Sequence, residues 1–372
     1  MNRRDFCLTA PLAASIALAI QNAAAQDAER QATQKEARDA IRMKQAARVF
    51  WSSLSLEQRQ KLSFPLNANQ RVQWSNLPAA NVPRVGVRIG DLDDDKRRLV
   101  HALMRASTSS QGYLKISGIM QHDDVFRAEE LAYMEHNQPK PRVGRASVES
   151  TGSGSYWIAF FGDPTSSDSW AWLLTGHHLA ATFTLANGHV TFMPLFVGSA
   201  PNEIQRGAYA GARVLSHEAS LGYELLHSLA ADQLRVAVLS PKAINDVMTG
   251  PGRQASLTTF EGIPASALNA RQQRLIWALI EEYVRNASFD AADAQLDAIK
   301  AAGLSKLYFS WRGPVDDPDA PYYYRVHGPR IIIEYAEMEP NHVHTITRDP
   351  AHDYGADWLG IHYQEHAASP RG

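Results

Sequence analysis

Asn187-Gly188 lies between two runs rich in aromatic and branched residues, Leu179 to Leu185 and His189 to Phe196. Asn-Gly in that setting is the strongest short-range hairpin signal, and it commits the middle of the chain to antiparallel pairing. Similar short runs precede it at Tyr156 to Phe161 and Trp170 to Leu174. Others follow much later, at Lys306 to Trp311, Tyr322 to His327, Arg330 to Tyr335 and His342 to Thr347. Between the two groups the period lengthens to that of helices. Leu215, Leu221, Leu225 and Leu229 anchor a helix from Pro201 to Ala231, and two more are expected over Leu268 to Val284 and Ala291 to Ala302. Strands, then helices, then strands, with hairpin connections, predict an α+β fold: one antiparallel sheet covered by helices in a single large domain.

Ahead of the first strands the pattern is helical. Ala40, Met43, Ala47 and Phe50 recur at steps of three and four, and Pro65 closes that region. A helix is expected over Asp94 to Ser107, because Asp93, Asp94 and Asp95 place negative charge where the helix dipole favours it. Residues 138–155, rich in Pro and Gly, read as a loop. The organisation predicted is a signal peptide over 1–25, an N-terminal helical segment over 26–80 and the α+β domain over 81–366.

Arg3 and Arg4 precede a 13-residue apolar run from Leu8 to Ile20, too short to span a bilayer but suited to the core of a signal peptide. Ala23 and Ala25 then offer a small-residue cleavage site. Arg3-Arg4-Asp5-Phe6 resembles a twin-arginine export signal, with Sec export as the alternative. The expectation is a periplasmic or secreted protein without membrane insertion. The single cysteine, Cys7, lies in the part to be removed, which leaves imidazole and carboxylate as the strong metal ligands of the mature chain. With 37 basic and 39 acidic side chains there is no excess for phosphate neutralisation, so nucleic acid is a poor partner and a small-molecule substrate or ligand the better one.

Of 14 histidines, 11 fall between His177 and His366. On a strand, His342 and His344 of Asn341-His342-Val343-His344 project to the same side, about 7 Å apart, within reach of one metal. Adjacent His177 and His178 sit in an otherwise apolar stretch, where buried imidazoles need partners. Taken as strand neighbours they face opposite ways, so one of the two joins His342 and His344 in a three-imidazole site, with His362 as reserve ligand. Arg348, Asp349, Asp353 and Asp357 crowd nearby in sequence. These carboxylates are candidates to hold the outer nitrogens of ligating imidazoles or to act as a base, and Arg348 to bind an anionic group. Glu218 is a further candidate base. No G-x-S-x-G elbow, Walker loop, dinucleotide fingerprint or H-E-x-x-H pair occurs.

The series Tyr156-Trp157-Ile158-Ala159-Phe160-Phe161-Gly162, Gly176-His177-His178-Leu179, Pro194-Leu195-Phe196-Val197-Gly198, Tyr323-Tyr324-Arg325-Val326-His327-Gly328-Pro329, Ile333-Glu334-Tyr335, Asn341-His342-Val343-His344, Arg348-Asp349, Asp353-Tyr354-Gly355 and His362-Tyr363 resembles the DUF3500 family. The likeness runs through nearly all of the mature chain and confers no established reaction. Family members tend to carry a longer link before the Asn-His-x-His motif, and Gln where this chain has His327.

The reading that follows is an exported metal-dependent enzyme in which histidines hold a divalent ion, Zn²⁺ first and Cu²⁺ or Fe²⁺ as alternatives. The ion would activate water for hydrolysis, with Glu218 or Asp353 taking the proton and Arg348 stabilising negative charge. The alternatives are a copper or iron oxidoreductase and a non-catalytic envelope protein that binds a metal or small ligand with four protein ligands.

Overall fold

The computed structural model describes residues 38–136, 143–165, 169–356 and 359–360. The signal-peptide segment, Asp357 and His362 lie outside them.

Helix α1 (residues 38–53) buries Ala40, Met43, Ala47 and Phe50, the residues whose spacing predicts it. Helix α2 (Leu56–Leu62) follows, opened by a capping box between Ser55 and Gln58. Helix α3 (Asp94–Ser107) starts where the acidic run places it: the Asp93 side chain accepts from Lys96 N at 2.9 Å. Helix α4 (Ser110–His136) has no sequence forecast. It buries Lys115, His122 and Asp123 beside Ile116 and Ile119, so its buried face does not read as an apolar stripe. The loop expected over 138–155 contains a short helix, α5 (Arg145–Glu149).

The helix expected from Pro201 to Ala231 is shorter. Gly207 and Gly211 take left-handed φ of 82° and 88°, and Asn202 gives its backbone N–H to Asn341 O at 2.9 Å, so 201–215 runs as an irregular segment. Helix α6 (Ser216–His227) begins only after it, and α7 (Ala231–Ala237) follows. Helices α8 (Ala270–Val284) and α9 (Phe289–Ala302) fall where expected.

Thirteen strands among the described residues form one sheet. They are β1 (Ser63–Phe64), β2 (Val87–Arg88), β3 (Tyr156–Phe161), β4 (Trp170–Gly176), β5 (Leu179–Ala186), β6 (His189–Thr191), β7 (Leu195–Ser199), β8 (Val238–Ser240), β9 (Ile263–Pro264), β10 (Tyr308–Arg312), β11 (Tyr322–Gly328), β12 (Ile331–Glu339) and β13 (His342–Arg348). The order is β1-β3-β4-β5-β7-β13-β12-β11-β10-β8, with β2, β6 and β9 paired alongside. Pairing from β3 through β10 is antiparallel, and the parallel pairs β1·β3 and β8·β10 stand at the two ends. The fold is α+β. Asn187 and Gly188 both take positive φ, 50° and 79°, in the β5–β6 hairpin.

The two strand groups of the sequence are two halves of this sheet. Strand β7 joins them, pairing with β5 on one side and with β13 on the other. One sheet face packs against helices through a core that includes Phe50, Phe160, Trp172, Tyr324, Tyr335 and Ile280. The other carries a smaller core, among it Trp74, Phe161, Phe196, Val247 and Ile346. Among the described residues no helix is long and apolar enough to cross a membrane.

Candidate metal centre

His177 and His178 form the two-residue turn between β4 and β5, with Gly176 and Leu179 paired across it. They are therefore not strand neighbours on opposite faces, as the sequence suggests. The turn stacks the rings, centroids 3.8 Å apart and planes 29° off parallel. His178 adopts a left-handed φ of 60°, which costs a side-chain-bearing residue about 1–2 kcal/mol. Three contacts hold the turn: His178 N donates to Asn76 O at 3.0 Å, Gly198 N to His178 O at 2.8 Å, and the Tyr156 hydroxyl to His177 O at 2.8 Å.

Across the β7 seam, β13 presents the other two imidazoles. Asn341 makes the entry to β13 at φ 68°, a conformation Asn tolerates. Its side chain grips Glu203, accepting from Glu203 N at 2.5 Å and donating to Glu203 O at 2.9 Å. Gly198 pairs with His344, and a Cβ there would lie 2.9 Å from the His344 ring and 3.3 Å from that of His178. Only glycine lets these rings approach each other.

They meet through their Nε2 atoms. His178 Nε2 is 3.1 Å from His342 Nε2, which is 3.3 Å from His344 Nε2. Tetrahedral ligation at 2.0–2.1 Å places nitrogens about 3.3 Å apart, so the spacing fits one ion. His178 and His344 are buried and His342 is partly exposed, which leaves the group open on the His342 side.

The outer nitrogens fix the tautomers. His342 Nδ1 lies 3.1 Å from Glu339 Oε1 and His344 Nδ1 lies 2.9 Å from Asp246 Oδ1. A carboxylate accepts, so each Nδ1 carries the proton and each Nε2 presents a lone pair. Burial works against protonation of two of the three imidazoles. Burial, and then the neighbouring His344, lower the His342 imidazole to about 4 despite Glu339. Burial, followed by His177, His344 and His342, holds His178 well below the usual histidine range. Two ring nitrogens 3.3 Å apart, each with its outer nitrogen on a carboxylate, form with His178 a group that could hold a metal ion.

Asp123, His177 and His178 form a second compact group. It is a poorer ligand set, because stacked rings send their in-plane lone pairs side by side instead of to one point. His177 Nδ1 and Asp123 Oδ1, 2.5 Å apart, make a hydrogen bond, and Asp123 is further held by Gly152 N at 2.7 Å. Of the turn pair, His178 joins His342 and His344, while His177 turns to α4.

The remaining candidates lie elsewhere. Glu218 is buried on α6 and ion-paired to Lys115 of α4, which also binds Glu282 of α8 at 2.9 Å. Asp353 pairs with Arg348 at 2.5 Å, and burial, outweighing Arg348, pushes its carboxyl up to about 6. Arg348 also donates to Thr249 O at 2.8 Å and lies over Trp74. The structure thus ties Arg348 to a loop and a carboxylate, and among the described residues the carboxylates on the imidazoles are Glu339, Asp246 and Asp123. Asp246 and Asp123 belong to no local motif and are far from the histidines in sequence. Only Glu339, three residues before His342, had a signal in its proximity.

A family described as a protein of unknown function (DUF3500) matches residues 36–356, and the chain belongs to it. No curated protein and no solved structure matches the chain.

Proposed function

We propose that this member of the DUF3500 family is an exported metal-dependent enzyme of hydrolytic chemistry, holding a divalent ion on Nε2 of His178, His342 and His344. The observation that carries the reading is the 3.3 Å approach of two imidazole lone pairs whose outer nitrogens are engaged by carboxylates. Zn²⁺ suits a neutral three-imidazole set backed by carboxylates. Bound there, it would lower the pKa of a coordinated water to about 7 and so supply hydroxide at neutral pH. His178 and His344 are shielded, and the partly exposed edge of His342 is the side from which a small substrate reaches the group. Export rests on Arg3, Arg4 and the apolar run behind them.

The test is made on full-length protein purified without a His tag. One divalent ion per chain is expected, lost in His344→Ala, and its identity separates zinc from copper or iron. Co²⁺ in its place should give a tetrahedral visible spectrum that azide alters by entering the open position. A Co²⁺ spectrum indifferent to azide would favour the four-ligand carrier with His362, and absence of metal would remove both readings.

A further inference from the structure

The loop that brings Asp246 to His344 is gripped from both edges by one carboxylate and one guanidinium on adjacent strands. Glu334 on β12 is fully buried and accepts from Met248 N at 2.6 Å, Thr249 N at 2.8 Å, the Thr249 hydroxyl and the Tyr323 hydroxyl at 2.7 Å. From β13, Arg348 holds the next peptide of the same segment, donating through Nε to Thr249 O at 2.8 Å. Hydrogen bonds to a carboxylate are among the strong ones, and four donors converge on this one. Asp246 lies two residues before the gripped peptide, too few to absorb a shift. Its Oδ1 accepts from Val247 N at 2.7 Å and meets His344 Nδ1 at 2.9 Å.

We infer that Glu334 is a positioning residue for the metal centre: by anchoring the 248–249 peptide it sets the reach of Asp246 to His344 Nδ1, and so the orientation of the His344 ring. The inference rests on the metal reading above and deepens it. It assigns a task to the buried carboxylate of Ile333-Glu334-Tyr335, whose hydrogen bonds run to Met248, Thr249 and Tyr323.

The experiment is a cycle on Zn²⁺ affinity in the full chain, measured by competition with a chromophoric chelator, for wild type, Glu334→Gln, Asp246→Asn and the double variant. Loss of an outer partner weakens metal binding about 10–100-fold, and both single variants should fall in that range. Because Glu334 acts through Asp246, the double variant should bind within about twofold of Asp246→Asn alone. A purely structural Glu334 would leave affinity unchanged in the folded single variant, or add its full loss on top of Asp246→Asn; either result overturns the inference. If Glu334→Gln does not fold, Thr249→Ala removes one of the donors. It should weaken Zn²⁺ binding about threefold, again without adding to Asp246→Asn, and unchanged affinity there also overturns the proposal. Wild type that takes up no Zn²⁺ would instead overturn the metal reading itself.

Discussion

Lys115, Glu218 and Glu282 meet where α4, α6 and α8 converge, and His178, His342 and His344 meet across the β7 seam of the sheet. Both groups are polar and largely removed from water, but they complete their charges differently. In the first, burial alone would lower the Lys115 ammonium, yet Glu218 and Glu282 outweigh it and raise the lysine. Glu218 moves up because burial dominates over Lys115. Opposite charges sit together. In the second, the three groups are alike, imidazoles that turn their Nε2 atoms towards one another. A buried polar cluster is therefore not in itself a sign of function; like metal-ligating nitrogens gathered at one point are the stronger one.

The sharpest way to break this contrast is to remove one partner from each cluster. Lys115→Met should cost about 3–5 kcal/mol in urea unfolding, since it strands two carboxylates, while metal content stays at the wild-type level. Loss of metal in that variant would join the two regions that the account separates. His344→Ala should do the reverse. Zn²⁺ affinity is expected to drop by a factor of about 100 or more, and the metal-free variant should lose less stability than Lys115→Met, because Asp246 keeps Arg253 as a partner. A large loss of metal-free stability would mean that the histidines support one another as the ion triad does.

Gly198→Ala probes the closeness of the rings. The added methyl would lie 2.8 Å from Val343 O and 2.9 Å from the His344 ring, so about a tenfold weaker Zn²⁺ binding is expected, with an overpacking cost of about 1–3 kcal/mol. Unchanged affinity would show that the rings have slack. His327 is a control imidazole outside the cluster. Burial, and then the charge of Arg325, lower it to about 4, with Glu261 opposing. The unfolded chain takes up this proton as pH falls below about 6.5 while the folded form resists it. The His327 contribution to stability is therefore complete above pH 6.5 and lost as pH falls through about 4. His327→Gln should retain on the order of 1 kcal/mol more stability at pH 4 than the parent, with metal binding at pH 7 unchanged. Parallel unfolding profiles would refute it.

Much of this was legible in the sequence for a simple reason. Strands such as Tyr322 to His327 carry their signal in local residue types, and Asn187-Gly188 announces its own turn. His342 and His344 share a face because strand periodicity requires it. What was hidden depends on contacts between distant segments. Asp246 and Asp123 reach the imidazoles from a loop and from α4, and Glu218, promising as a base by type alone, is neutralised by a lysine 103 positions earlier. Strand alternation does not hold for His177 and His178, because they form a tight turn. Arg348 and Asp353 are neighbours in sequence, and the structure engages them with each other and, through Arg348, with the loop that carries Asp246.

The most direct test is X-ray absorption at the metal edge of the full-length protein loaded with one equivalent of Zn²⁺. The account expects three imidazole nitrogens at about 2.0–2.1 Å and one light non-imidazole atom, with the imidazole count falling to two in His342→Ala. Zinc bound through fewer than three imidazoles in the wild type, or a first shell unaltered by His342→Ala, would contradict it.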